Sequence, residues 1–174
     1  MMHARPVYKT DAAKLSDYFT RNQSHFQRWD PLRPVNFHSV ANWQQRLNHL
    51  YTEPRTEYWF ALADAEKIIA HCALSNVVQG PFQACYMGYG IDADYQGRGL
   101  MPNLCQTALA FGFQRLSLHR VMANYMPHNL RSGALLARLG FEKEGLAKEY
   151  LCINGEWQDH VLTSLLARHF NAPR

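Results

Sequence analysis

A mixed α/β domain is the fold class that the sequence predicts, on three observations. The chain has 174 residues, 47% of them hydrophobic and 18% charged, which suffices for one sizeable core and leaves little room for two. Two strand-like runs, residues 57–63 (EYWFALA) and 67–78 (KIIAHCALSNVV), flank the short polar break Asp64-Ala65-Glu66 and read as a hairpin. A third apolar and aromatic run, 84–91 (ACYMGYGI), feeds a glycine turn and then a helical pattern, an order repeated in kind after Arg120. Residues 1–174 are therefore read as a single domain.

Taken in order, residues 1–9 offer at most a short first strand. From Asp11 to Thr20 the apolar Ala12, Leu15, Tyr18 and Phe19 recur at helical spacing, and Ser39 can cap a second helix through Trp43, Leu47 and Leu50. Residues 29–34 between them form a proline-bounded loop. Gln79-Gly80-Pro81 marks a turn before the strand at 84–91, in which Gly88 and Gly90 point to a bulge or to a ligand passing close to the backbone. After Tyr95-Gln96-Gly97-Arg98-Gly99, the positions Leu100, Leu104, Ala108 and Phe111 keep a helical step to about Leu116. Residues 120–126 (RVMANYM) read as a buried strand; Asn129 can cap a helix through Leu135, Leu136 and Leu139, with Gly140 as its left-handed stop. A last strand pair, 147–153 and 156–166, surrounds the hairpin signal Asn154-Gly155.

Composition narrows the function classes. A net charge of +4, without a long run of like charges, is a weak hint of an anionic ligand and provides no basic arm for nucleic acid. No apolar run approaches the roughly 18 residues of a membrane span, and residues 1–10 are too polar for a signal peptide, so the expected compartment is the cytoplasm. Cys72, Cys85, Cys105 and Cys152 form no CxxC pair and read as buried free thiols. The nine histidines show no His-Glu-x-x-His spacing, so no metal is expected, and no Gly-x-Ser-x-Gly elbow marks a serine hydrolase.

The glycine turn is the most informative feature. A strand entering a Gly-x-Gly turn that opens a helix aims unpaired backbone N–H groups and the positive end of the helix dipole at one spot, which suits a phosphate. Gly97 and Gly99 permit positive φ, Arg98 adds a charge, and Pro102 in the first helical turn sacrifices no needed donor. A dinucleotide fingerprint requires glycine where Pro102 stands, and the Gly-Lys-Ser/Thr ending of a P-loop is absent.

The segment Gln96-Gly97-Arg98-Gly99-Leu100-Met101 resembles the coenzyme A pyrophosphate motif Gln/Arg-x-x-Gly-x-Gly/Ala of the GCN5-related N-acetyltransferases; Met101 departs from its last small residue. Asn129-Leu130-Arg131-Ser132 and Leu139-Gly140-Phe141-Glu142-Lys143-Glu144-Gly145 are similar to signatures of the RimJ/RimL branch of that family. Residues 75–89, 119–129 and 155–163 extend the likeness over nearly the whole chain, and among branch members it is nearest to those acting on alanine N-termini.

The resemblance implies a mainly antiparallel central sheet, splayed between its fourth and fifth strands and flanked by helices. It also implies an acetyl-CoA-dependent enzyme acting by direct attack in a ternary complex on the N-terminal α-amine of a protein, expected to be a ribosomal protein starting with Ala, with association to the ribosome as a further expectation. Main-chain N–H groups of Gly97, Arg98, Gly99, Leu100 and Met101 would hold the pyrophosphate, with Gln96 opening the motif; Ile91 and Asn129 would meet the pantetheine arm; Ser132 would protonate the departing thiolate. Asn129 can equally be a helix cap, and Ser132 a first-turn hydroxyl facing solvent or backbone.

For the base, Glu57 at the start of a strand bordering the acceptor side is the choice, with Tyr86, Glu149, Tyr150 and His160 as competitors and His71 read as a core histidine. An α-amine, with a pKa of about 7.7 to 8.0, needs only a modest base acting through water, whereas a lysine amine at about 10.4 needs more. Two rival functions are acetylation of a small-molecule amine, decided by loop 29–36 and the Asn154-Gly155 hairpin, and a ribosome- or RNA-associated coenzyme-binding module without turnover. Arg115, Arg120, Arg131 and Arg138 are the basic residues that such a module would use.

Overall fold

The computed structural model describes residues 2–172 and contains one seven-stranded sheet in the order β1-β2-β3-β4-β5-β7-β6. Strand β1 (Met2–Pro6) pairs antiparallel with β2 (Tyr58–Asp64), which forms the expected hairpin with β3 (Lys67–Val78). β4 (Ala84–Ile91) lies antiparallel to β3, and β5 (Arg120–Tyr125) runs parallel to β4. β7 (Glu156–Leu166) pairs with β5, and β6 (Glu142–Ile153) closes the edge. All neighbouring pairs except β4 and β5 are antiparallel, as the sequence led us to expect.

Helices cover both faces because the strands alternate. On β2, Phe60 and Leu62 enter one core with Leu104 and Leu109, whereas Ala61 enters another with Leu15, Tyr18, Trp43 and Leu47. The second core is built by α1 (Ala12–Arg21) and α3 (Val40–Leu50), with the short α2 (Gln23–Phe26) beside them. Ser39 caps α3 as anticipated, its hydroxyl accepting from the Asn42 N–H at 3.2 Å. The first core is completed by α4 (Met101–Ala110) and α5 (Leu130–Arg138). Here α4 stops short of the expected end, and Phe111–Arg115 continues as a π-helical turn.

Three expectations are corrected. β6 begins at Glu142 rather than at residue 147; its first half is an exposed edge with no apolar alternation to betray it. Cys152 is exposed, while Cys72, Cys85 and Cys105 are buried, and all four are free. Gly88 and Gly90 keep an unbroken register with β3, so the bulge lies in β3 between Ser75 and Val78 instead. No helix of the described residues is long and apolar enough to cross a membrane.

The first strand is short, as the sequence suggested, and Met1 lies outside the described residues. A buried clamp fixes β1 to α1: Arg5 donates to both Asp11 oxygens at 2.6 and 2.9 Å, and the Tyr8 N–H donates to Asp11 at 2.7 Å. Burial alone would raise the Asp11 pKa, but these hydrogen bonds outweigh it and hold the carboxyl below its ordinary value. A depressed native pKa gives stability that is present above the ordinary value near 3.8 and lost as pH falls through the lower native value. We expect Asp11→Ala to cost about 2 kcal/mol in urea unfolding at pH 7, with the difference from the parent shrinking as the pH is taken below that range.

Candidate active site

β4 and β5 are hydrogen-bonded only through Ala84↔Arg120, Cys85↔Val121 and Tyr86↔Met122. Beyond Tyr86 the two parallel strands part, and a cleft of about 1230 Å³ opens between them. Parting leaves the main chain of Met87 to Ile91 without sheet partners on its β5 side, so its polar groups face the cleft. Gly88 is exposed there, with no atom within 4 Å of where a Cβ would stand, whereas Gly90 lies against His71 and Phe26. Gly88 thus marks the open position and Gly90 a packed one.

At one end of the cleft the chain leaves β4 and turns into α4. Gly97 and Gly99 hold φ of +71° and +68°, and no atom lies within 4 Å of a Cβ built on either. No side chain caps α4, so its first N–H groups, including those of Leu100 and Met101, are unsatisfied by side chains and border the cleft. This cradle fits a pyrophosphate: it has donors, a favourable helix dipole and empty space where side chains would otherwise stand. Arg98 donates to the Asp94 carbonyl at 2.7 Å and stacks over Tyr95 at 4.8 Å. Gln96 reaches across the mouth, accepting from Arg131 at 2.6 Å and meeting His25 Nε2 at 3.0 Å. Ile91 and Asn129 also line the cleft.

Asn129 caps α5, its Oδ1 accepting from the Ser132 N–H at 3.3 Å, and this places the Ser132 hydroxyl in the cleft. That hydroxyl is hydrogen-bonded to Tyr89 Oη at 2.5 Å, joining α5 to the splayed part of β4. Burial raises the Tyr89 pKa above its ordinary value, so the phenol keeps its proton at neutral pH. Sequence reasoning missed Tyr89, because nothing local marks a partner 43 residues from Ser132.

Glu57 lines the cleft just before β2 and accepts from Trp59 Nε1 at 2.5 Å. Trp59 stacks on His71, with ring centroids 5.2 Å apart. His71 is more than packing: it borders the cleft and bonds Tyr18 Oη through Nδ1 at 3.0 Å. Burial, followed by the charges of His38 and Arg46, lowers its pKa to about 3, which keeps the imidazole neutral and a feeble base. The competing residues Tyr86, Glu149, Tyr150 and His160 are not among those lining the cleft. Tyr86 and Tyr150 bond each other, His160 Nδ1 meets the Gln158 carbonyl at 3.0 Å, and Glu149 is exposed on β6.

Loop 27–39 and the β6–β7 turn come together, with the Asn154 N–H donating to the Asp30 carbonyl at 2.9 Å. Of the four arginines considered for RNA, Arg131 and Arg138 border the cleft and Arg120 pairs with Glu144.

Comparison with known proteins places this geometry. The chain is 46% identical over 165 residues to the [ribosomal protein uS5]-alanine N-acetyltransferase of Escherichia coli strain K12, spanning 92% of this chain and 85% of that protein. The crystal structure of ribosomal-protein-S5-alanine acetyltransferase from Vibrio fischeri superposes with a TM-score of 0.91 at 38% identity, covering 98% of this chain and 95% of that one. Mycobacterium smegmatis RimJ in complex with CoA-disulfide gives a TM-score of 0.88 at 30% identity, over 96% of this chain and 82% of that one. The acetyltransferase (GNAT) domain family matches residues 2–142, so the chain with its splayed strands and glycine turn belongs to the GNAT acetyltransferases and is an N-acetyltransferase.

Proposed function

We propose that the protein transfers the acetyl group of acetyl-CoA to the α-amine of a ribosomal-protein N-terminus that begins with alanine, and does so in the cytoplasm. The observation that carries this reading is the 46% identity to the E. coli uS5-alanine enzyme across 92% of the chain.

The residues divide the work as follows. Main-chain N–H groups from Gly97 to Met101 bind the pyrophosphate, and Gln96, tied to Arg131, holds the turn against α5. Ile91 and Asn129 flank the pantetheine path. The coenzyme supplies an acyl group activated as a thioester, and unpaired N–H groups of β4 beyond Tyr86 stabilise the negative charge that develops on its carbonyl oxygen. Glu57 receives the amine proton through water; its fixed hydrogen bond to Trp59 keeps the carboxylate in place. As the amine nitrogen bonds to the carbonyl carbon and the C–S bond breaks, the Ser132 hydroxyl donates its proton to the sulfur. Tyr89 restores it across their shared hydrogen bond and is itself reprotonated from water in the cleft. A base this modest suits an α-amine and is poorly matched to lysine.

The test is the rate of acetylation, followed by mass spectrometry, of peptides with free Ala or Ser N-termini, N-terminally blocked peptides with a free lysine, and small polyamines. The reading requires the free Ala peptide to react fastest. Preference for polyamines overturns the acceptor, and failure of all acceptors overturns turnover in favour of a binding module.

A further inference from the structure

Only two carboxylates, Glu57 and Asp30, stand among the described residues lining the cleft, against Arg28, Arg98, Arg131 and Arg138. Glu57 has a hydrogen-bond donor in Trp59; the Asp30 carboxylate has none among the described residues. Asp30 lies in loop 27–39 beside Trp29, whose ring stacks on His128 with centroids 5.6 Å apart, and its own carbonyl is held by the Asn154 N–H. The backbone is therefore anchored from both sides, while the side chain is half-buried at a cleft wall and close enough to Tyr18 for its charge to act on that phenol.

We propose that Asp30 is a specificity-determining residue whose carboxylate captures the α-ammonium of the incoming peptide. This rests on the α-amine reading above. A half-buried carboxylate with no hydrogen-bond donor from the described residues has only water for a partner, and an ammonium offers three N–H donors together with the opposite charge. Burial, partly offset by Arg33, raises the Asp30 pKa to about 6, so it is still ionised at pH 7 and above, where an α-amine carries its proton about half the time or more up to a pH near 8. Capture at Asp30 concentrates amines in a cleft that is otherwise basic, and Glu57 then removes the proton. Neutral or N-terminally blocked chains gain nothing from Asp30.

The experiment uses the full chain, a peptide with a free N-terminal alanine as substrate, and its des-amino analogue, in which hydrogen replaces the amino group, as a competitive inhibitor. Asp30→Asn should raise the KM for the peptide about tenfold or more, change kcat less, and leave the inhibition constant of the des-amino analogue within about twofold. Asp30→Glu should recover part of the loss. An unchanged KM in Asp30→Asn, with the parent acetylating the peptide normally, overturns the role of Asp30 alone. Equal rises in KM and in the inhibition constant mean a loop that has lost its shape and equally overturn it. A parent protein that acetylates no free α-amine overturns the acceptor reading, and this inference with it.

Discussion

Gly99→Trp is expected to raise the Kd for acetyl-CoA about 100-fold or more while the protein remains folded. The turn carries φ of +68° at Gly99, where an L residue costs about 1 kcal/mol, and the space around it is empty of protein atoms. A side chain there meets no core, so the fold tolerates it with a Tm lowered by only a few degrees. The indole instead fills the space toward which the first N–H groups of α4 point. Loss of several charge-assisted hydrogen bonds, at roughly 1.5 to 3 kcal/mol for hydrogen bonds to charged groups, accounts for the size of the effect. Isothermal titration with acetyl-CoA, alongside a thermal melt, checks it; undiminished affinity in a folded variant would move the coenzyme away from the glycine turn.

The second large effect is at the far end of the proton path. Ser132→Ala should lower kcat by about 10²-fold, the low end of what a positioned acid contributes, with the Kd for acetyl-CoA within about twofold of the parent. Asn129 continues to cap α5 through the backbone N–H of residue 132, so the helix does not pay for the change. Tyr89→Phe should give a smaller loss, because Ser132 keeps its own proton for one turnover and loses only its resupply. Single-turnover kinetics separate these expectations from slow product release, and a rate unaffected by Ser132→Ala would remove the hydroxyl from the chemistry.

Much of this architecture is legible in the sequence, and for identifiable reasons. β3 and β4 match the expected runs at both ends because they are central strands whose apolar residues are bounded by polar turns. Ser39 and Asn129 announced their helices because a cap is a local hydrogen bond, written within three residues of sequence. The four residues of α2 are too few to show a period, and the exposed first half of β6 has no buried face to impose one. The glycine turn was legible because glycine spacing and positive φ are the same information.

The rest of the cleft was less legible, since it is made largely by contacts distant in sequence. Tyr89 meets Ser132, and the Asn154 turn meets Asp30, only once the sheet is assembled. Asp30 in particular sits in an aperiodic loop, where an acidic residue looks like any solvated one. His71, expected as a core residue, is packed as expected on Trp59 and Tyr18 and yet also faces the cleft.

The position of the acetyl group on a single peptide carrying both a free N-terminal alanine and an internal lysine tests the account most directly. After incubation with acetyl-CoA, fragmentation mass spectrometry should find the group on the α-amine, with the lysine unmodified and the product lost in Ser132→Ala. Acetylation of the lysine in preference to the α-amine would contradict the central claim.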